Sequence, residues 1–159
     1  MENKITLISS QGNNYTVIKE IMETYRQYRG SVKGHLDDLK GLPVIDKCYS
    51  IFDYVLSKVK YSADQGRDQY IQTPERLMLS GKGDCKSMAI FAASCLKEMN
   101  IPCWFRFVSF NDSPIYTHVY VVAQDEDGRE IIIDPVDRYD NKPKFNYARP
   151  FVLKKDIRA

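Results

Sequence analysis

The chain has 159 residues, about one ordinary domain, and its 43% apolar and 12% aromatic content excludes a disordered polypeptide. A formal net charge of +2, with both signs interspersed, offers no electrostatic footprint for nucleic acid or an anionic membrane. No apolar run is long enough to span a bilayer. The polar start Met1-Glu2-Asn3-Lys4 lacks the apolar core of an export signal, which predicts a cytoplasmic protein, free or associated with a larger particle.

No repeat, low-complexity stretch or interdomain linker interrupts the sequence, so residues 1–159 read as a single domain. Residues 1–14 form a loose lead-in. Tyr15 to Tyr28 has helical character and is stopped by Gly30, and 31–42 reads as loop or a short helical turn. Pro43 suits the first turn of the next helix. Val44, Ile45, Cys48, Ile51, Phe52, Val55, Leu56 and Val59 then follow at helical spacing and make one broad core face. Tyr61 to Ile71 is polar and reads as loop. Thr73-Pro74-Glu75 opens a short helix, with Thr73 as cap and Pro74 in the first turn.

A helical pattern runs from Cys85 until Asn100-Ile101-Pro102 ends it. Trp104–Phe110, Thr117–Gln124 and Glu130–Asp134 are rich in β-branched and aromatic residues and read as strands. The last two are joined by the turn Asp125-Glu126-Asp127-Gly128. Residues 136–159 form a C-terminal extension without clear period. Helices followed by an antiparallel sheet predict an α+β fold.

Four cysteines, Cys48, Cys85, Cys95 and Cys103, have neither C-x-x-C spacing nor the density of a disulfide framework. Three suit small buried packing positions: Cys48 on an apolar stripe, Cys95 inside a helix and Cys103 at a strand start. Cys85 differs. It follows Gly81-Lys82-Gly83-Asp84, a glycine-punctuated turn that delivers it to the first position of a helix with Asp84 as cap. A free thiol ionises near about pH 8.5, and a helix N-terminus favours its anion. The same backbone N–H offers an oxyanion donor. A plain loop-to-helix joint is the alternative reading of Gly-Asp-Cys.

A base must come from two histidines. His35 lies in the charged Lys33-Gly34-His35 loop with no apolar frame, whereas His118 sits in a strand pattern on the same face as Tyr120 and Val122. Asp134 closes Ile131-Ile132-Ile133 one hairpin away from His118, where it can fix the imidazole tautomer and stabilise the imidazolium. Asp137 and Asp140 are fallback choices. A Cys/His metal site is disfavoured, since one histidine is well placed and no cysteines pair at ligand spacing.

The stretches Thr73-Pro74-Glu75-Arg76-Leu77, Gly81-Lys82-Gly83-Asp84-Cys85, Leu96-Lys97-Glu98-Met99-Asn100-Ile101-Pro102, Thr117-His118-Val119 and Ile133-Asp134-Pro135 resemble, in order and spacing, the transglutaminase-like cysteine proteases of the broader papain-like group. The resemblance implies Cys85 as nucleophile, His118 as base and Asp134 as orienting carboxylate, on a central helix packed against an antiparallel sheet. Some bacterial relatives bind calcium through acidic residues directly after the cysteine. Lys86-Ser87 stands there in this chain, so no metal and no cofactor is expected. The second oxyanion donor is not fixed by the match; Gln72 is the first choice, with Gln69 and Trp104 as weaker ones.

These residues predict acyl transfer through a thioester, with a peptide or protein as substrate. The resemblance favours hydrolysis of a peptide or isopeptide bond, by analogy with small bacterial-type members. Protein-glutamine crosslinking is an alternative. A non-catalytic module of the same fold, for example in a phage-like particle, is another, although binding alone gives no reason to place all three residues. Tyr61, Tyr70, Trp104, Tyr116 and Tyr120 are candidates for a substrate groove or for core.

Overall fold

A computed structural model describes residues 5–7, 14–63, 70–136 and 143–159. Strand β1 (Ile5–Leu7), helix α1 (Asn14–Tyr28) and two 3₁₀ stretches (Arg29–His35 and Asp37–Leu39) precede α2 (Val44–Lys58). Then come β2 (Lys60–Tyr61), β3 (Tyr70–Gln72), α3 (Pro74–Ser80), β4 (Lys82–Gly83) and α4 (Cys85–Glu98). Strands β5 (Cys103–Ser109), β6 (His118–Gln124), β7 (Glu130–Ile133) and β8 (Leu153–Arg158) complete the order. Among the described residues no helix is long and apolar enough to cross a membrane.

Helix α4 organises the molecule. Every residue from Cys85 to Leu96 is buried, so it has no solvent face and is enclosed on all sides. The α-helices and the first 3₁₀ stretch pack around it on one side, and β5 and β6 on the other. Ala92 and Ala93, both 0% exposed, let these neighbours approach closely. A larger residue at either would overpack the centre and cost about 1–3 kcal/mol. Ser94, also buried, satisfies its hydroxyl by donating to the Ile90 carbonyl at 2.7 Å.

Strands β7-β6-β5-β8 lie in that order as one antiparallel sheet. Alternation sorts its side chains cleanly. Phe105, Phe107, Val119, Val121, Ala123, Ile131 and Ile133 join the main core with α4. On the outer face, Val108, Tyr120 and Val122 form a second cluster with Trp104, Phe110, Ile132, Ala148 and Phe151. Two smaller ladders, β1 with β3 and β2 with β4, brace the chain just before α4.

The expected helices and strands are present, with boundary shifts of a residue or two, but the short strands β1 to β4 are unexpected: β1 lies in the supposed loose lead-in, and β2 and β3 enter the supposed 61–71 loop. Helix α1 ends at Tyr28 as expected, and the chain runs on through Gly30 in 3₁₀ geometry with Val32 and Leu36 drawn into the core. Pro43 precedes α2 as its capping residue, and the Val44 N–H is satisfied from the β6–β7 turn by Glu126 Oε2 at 3.1 Å. That turn is closed by Asp125 Oδ1, which accepts from Asp127 and Arg129 N–H at 2.9 and 2.8 Å, with Gly128 at φ +82°. His35, expected to lack an apolar frame, has one: its ring packs on Tyr54 and Phe91, and its Nδ1 meets Tyr54 Oη at 2.7 Å.

The largest difference lies in the C-terminal segment. Asn146 exchanges two hydrogen bonds with Ile132 at the β7 edge, at 2.9 and 3.2 Å. Ala148 and Phe151 then cover the outer cluster, and β8 pairs with β5 along Trp104–Ser109. This stretch supplies the sheet's fourth strand. Its sequence, Leu153-Lys154-Lys155-Asp156-Ile157-Arg158, is mostly exposed at an edge, so the ladder rather than an apolar pattern makes it a strand.

Candidate active site

The turn into α4 is built residue by residue. Thr73 caps α3 by accepting from the Arg76 N–H at 3.3 Å, with Pro74 as the first helical residue. Gly81 ends α3 in left-handed geometry at φ +66°, which favours glycine. Gly83 is required for space: a Cβ there would stand 2.5 Å from Leu77 Cδ1 and 3.0 Å from Gln72 Nε2. Asp84 then caps α4, its Oδ1 accepting from the Lys86 N–H at 3.1 Å, and Cys85 is the first helical residue. A first helical N–H has no intrahelical carbonyl to meet, so that of Cys85 is available to a developing oxyanion.

His118 opens β6, and the strand register brings its partner to it. Val121 pairs with Ile133 and Val122 with Ile132. One step further along the same register sets Asp134 opposite Tyr120, on the outer face that also carries His118. The imidazole Nε2 lies 2.8 Å from Asp134 Oδ2. A carboxylate can only accept, so Nε2 carries the proton of this bond. Nδ1 is buried with no hydrogen-bond partner among the described residues. Phe110 stacks on one side of the ring, at 6.1 Å and 27°, and Tyr120 lies 5.8 Å away. Arg149 covers Phe110 in turn, 4.1 Å above its ring.

Charge couples the three residues. Burial opposes an imidazolium at His118, but the Asp134 bond and the neighbouring Cys85 outweigh it and push its pKa up to about 10. The other cysteines have no such partner. Burial pushes Cys48 up to about 12, Cys103 up to about 11 and Cys95 further still. All four are free thiols.

Cys85, His118 and Asp134 are thus brought together from α4, β6 and the end of β7. Gln72 lies beside them and braces the turn: its N–H donates to Ser87 Oγ at 3.0 Å, and its Nε2 donates to the Lys82 carbonyl at 2.8 Å. Its Oε1 accepts from Ser80 Oγ at 2.9 Å. Trp104 is placed elsewhere. It pairs with Val122 while Val108 pairs with His118, which puts it four residues, roughly 13 Å, along the sheet. Gln69, Asp137 and Asp140 lie outside the described residues. Phe110 and Arg149 carried no sequence signal, being a strand-end aromatic and a residue of an unpatterned tail. Tyr120 is core, whereas Tyr70 remains 38% exposed near Gln72.

A sequence model of the transglutaminase-like superfamily matches residues 14–135. No curated protein matches the chain in sequence. Among solved structures, a proposed protease from Parabacteroides distasonis is similar, with TM-score 0.60 and 13% identity over 78% of this chain and 27% of that one. Calcium-bound LapG from Legionella pneumophila is similar at TM-score 0.54 and 20% identity, over 76% of this chain and 73% of LapG. Its EGTA-treated form aligns at 0.54 and 19%, covering 76% and 71%. The chain therefore spans about a quarter of the Parabacteroides protein's length, and at these identities the likeness is one of fold. The family match takes in Cys85, His118 and Asp134 together with the helices and strands that position them. The chain belongs to the transglutaminase-like superfamily.

Proposed function

We propose that the chain is a cysteine peptidase or amidase that hydrolyses a peptide or isopeptide bond through a thioester on Cys85. The 2.8 Å bond from His118 Nε2 to Asp134 Oδ2, beside the Cys85 thiol, is the observation that carries this reading. It commits one imidazole nitrogen to the carboxylate and leaves Nδ1 to exchange a proton with the thiol. With its pKa raised to about 10, His118 already holds the proton on Nδ1, so Sγ attacks the amide carbon as a thiolate and the carbonyl π pair moves onto oxygen. The Cys85 N–H donates to that oxyanion. Gln72 supplies the second donor, since the Lys82 carbonyl holds one of its two amide hydrogens and leaves the other.

Collapse of the intermediate breaks the C–N bond, and the amine leaves with the proton from Nδ1. Water then attacks the thioester, giving its proton to Nδ1, and the Cys85 thiolate departs as the acid forms. The similar Parabacteroides protein, a proposed protease, supports a peptide bond as the target. LapG is named in a calcium-bound form. In this chain the carboxylate next to the nucleophile, Asp84, carries the Lys86 ammonium. No three metal-ligating side chains converge among the described residues. On this reading no step runs through calcium, and EGTA should leave the rate unchanged.

The test is iodoacetamide labelling of Cys85 at pH 7, read by mass spectrometry in wild type and His118→Ala, beside a peptide-hydrolysis screen of the wild type. Labelling should be fast and fall about a hundredfold or more in the variant. Ordinary thiol rates, indifferent to His118, would sink the reading.

A further inference from the structure

Lys86 is the second residue of α4, at the end of a helix where the macrodipole favours negative charge. It is nevertheless only 7% exposed. Lysine is almost never buried without a charge partner. Here one partner is Asp84, itself 6% exposed. The Lys86 ammonium donates to Asp84 Oδ2, while the Lys86 N–H donates to Oδ1 at 3.1 Å. One residue therefore grips both oxygens of the cap, with Cys85 between the two in sequence.

Capping does not require this arrangement. Asparagine or serine at the same position would accept the Lys86 N–H with no charge to neutralise. The carboxylate does have a consequence for chemistry, because it sits one residue from a thiol that must become an anion. A neighbouring charge of this kind shifts an ionisation by about 1–3 pH units, and a negative one disfavours a thiolate. Among the described residues, His118 of β6 and Asp134 beyond β7 also bring charge to the nucleophile, and they form their own pair.

We propose that Lys86 is a positioning residue for the thioester reaction: its ammonium neutralises the capping carboxylate, so that Asp84 holds the first turn of α4 without opposing the Cys85 thiolate. The inference rests on the thioester reading, and its test separates the two. Cys85 alkylation is measured at pH 7 in wild type, His118→Ala, Lys86→Met, Lys86→Arg and the double variant Asp84→Asn with Lys86→Met. Circular dichroism establishes that each is folded.

Lys86→Met should slow Cys85 by about tenfold or more, because it takes an ammonium away from the cap carboxylate. Lys86→Arg should stay near wild type. The double variant, with a neutral cap that still bonds the helix, should recover to within about threefold of wild type. Packing alone predicts no such recovery, since the double variant also lacks the lysine. Wild-type rates in Lys86→Met, or a double variant as slow as the single one, would overturn the proposal. If Lys86→Met does not fold, Asp84→Asn alone decides: a rate at or above wild type supports the proposal, and a slower one overturns it. A wild-type Cys85 that ignores His118 would instead remove the thioester reading itself.

Discussion

Two charge clusters share the outer face of the sheet, with Tyr120 between them. In one, the Arg106 guanidinium meets Asp156 through Nε at 2.9 Å and Nη2 at 3.2 Å, and Glu130 through Nη2 at 3.3 Å. Lys154 adds a bond to Asp156 at 2.6 Å. In the other, His118 and Asp134 share a single bond, while Nδ1 and Oδ1 are buried without a partner among the described residues. The first cluster joins three strands, β5, β7 and β8, and gives each Asp156 oxygen a cation. The second pairs only what fixes a tautomer and leaves one nitrogen toward the thiol. A structural cluster closes its valences, whereas a reactive one keeps some open, at the expense of stability.

Mutating each cluster should break different properties. The largest expected effect is on the reactive side: Cys85→Ala should lower peptide hydrolysis by at least about a thousandfold. Its melting temperature should move by no more than a few degrees, because only one small atom is removed. A large drop in melting temperature with this variant would mark Cys85 as a packing residue and erase the contrast.

Arg106→Ala should do the reverse. Its side chain is 7% exposed but its partners reach solvent, so the loss falls between surface and buried limits, about 2 kcal/mol. That corresponds to roughly 4–8 °C in melting temperature for a chain of this size. The folded fraction should keep its alkylation rate at Cys85. A rate that falls with Arg106 would mean the two clusters act as one network.

The sequence makes the reactive cluster far more legible than the structural one. Cys85 announces itself through Gly81, Gly83 and the cap Asp84, each required by backbone geometry that glycine or a capping side chain serves. His118 and Asp134 are legible through period-2 alternation and a short hairpin, which fix both face and register. The structural cluster depends on β8, whose charged hexamer has no apolar period and becomes a strand only by pairing with β5. Arg106 could not be read as buried for the same reason, since its partner Asp156 lies 50 residues away. Val32 and Leu36 were hidden differently: glycines on either side suggest loop, and only tertiary burial favours the 3₁₀ turns. The Lys86–Asp84 pair is local in sequence, yet nothing in its pattern says that both charges are buried.

The finest test of the contrast is pH. His118 is raised from 6.5 to about 10, so the folded state holds a proton that the unfolded chain releases. Its contribution to stability is complete below about pH 6.5 and is lost as pH climbs toward 10. Asp156 moves the other way: burial opposes its charge, but Arg106 and Lys154 prevail and hold its pKa below the ordinary 3.8. Its contribution is complete above that value and is lost only as pH falls below it. Urea midpoints across pH should therefore show two separable limbs. His118→Gln should flatten the alkaline limb, whose slope for one proton is at most about 1.4 kcal/mol per pH unit, and leave the acid limb in place. Arg106→Ala should weaken the acid limb alone. Cys85→Ala should draw the alkaline limb to lower pH without abolishing it, because the imidazolium loses the thiolate but keeps Asp134. An alkaline limb identical in all three variants would mean that His118 is not charged in the folded protein, and that its bond to Asp134 is structural like that of its neighbour.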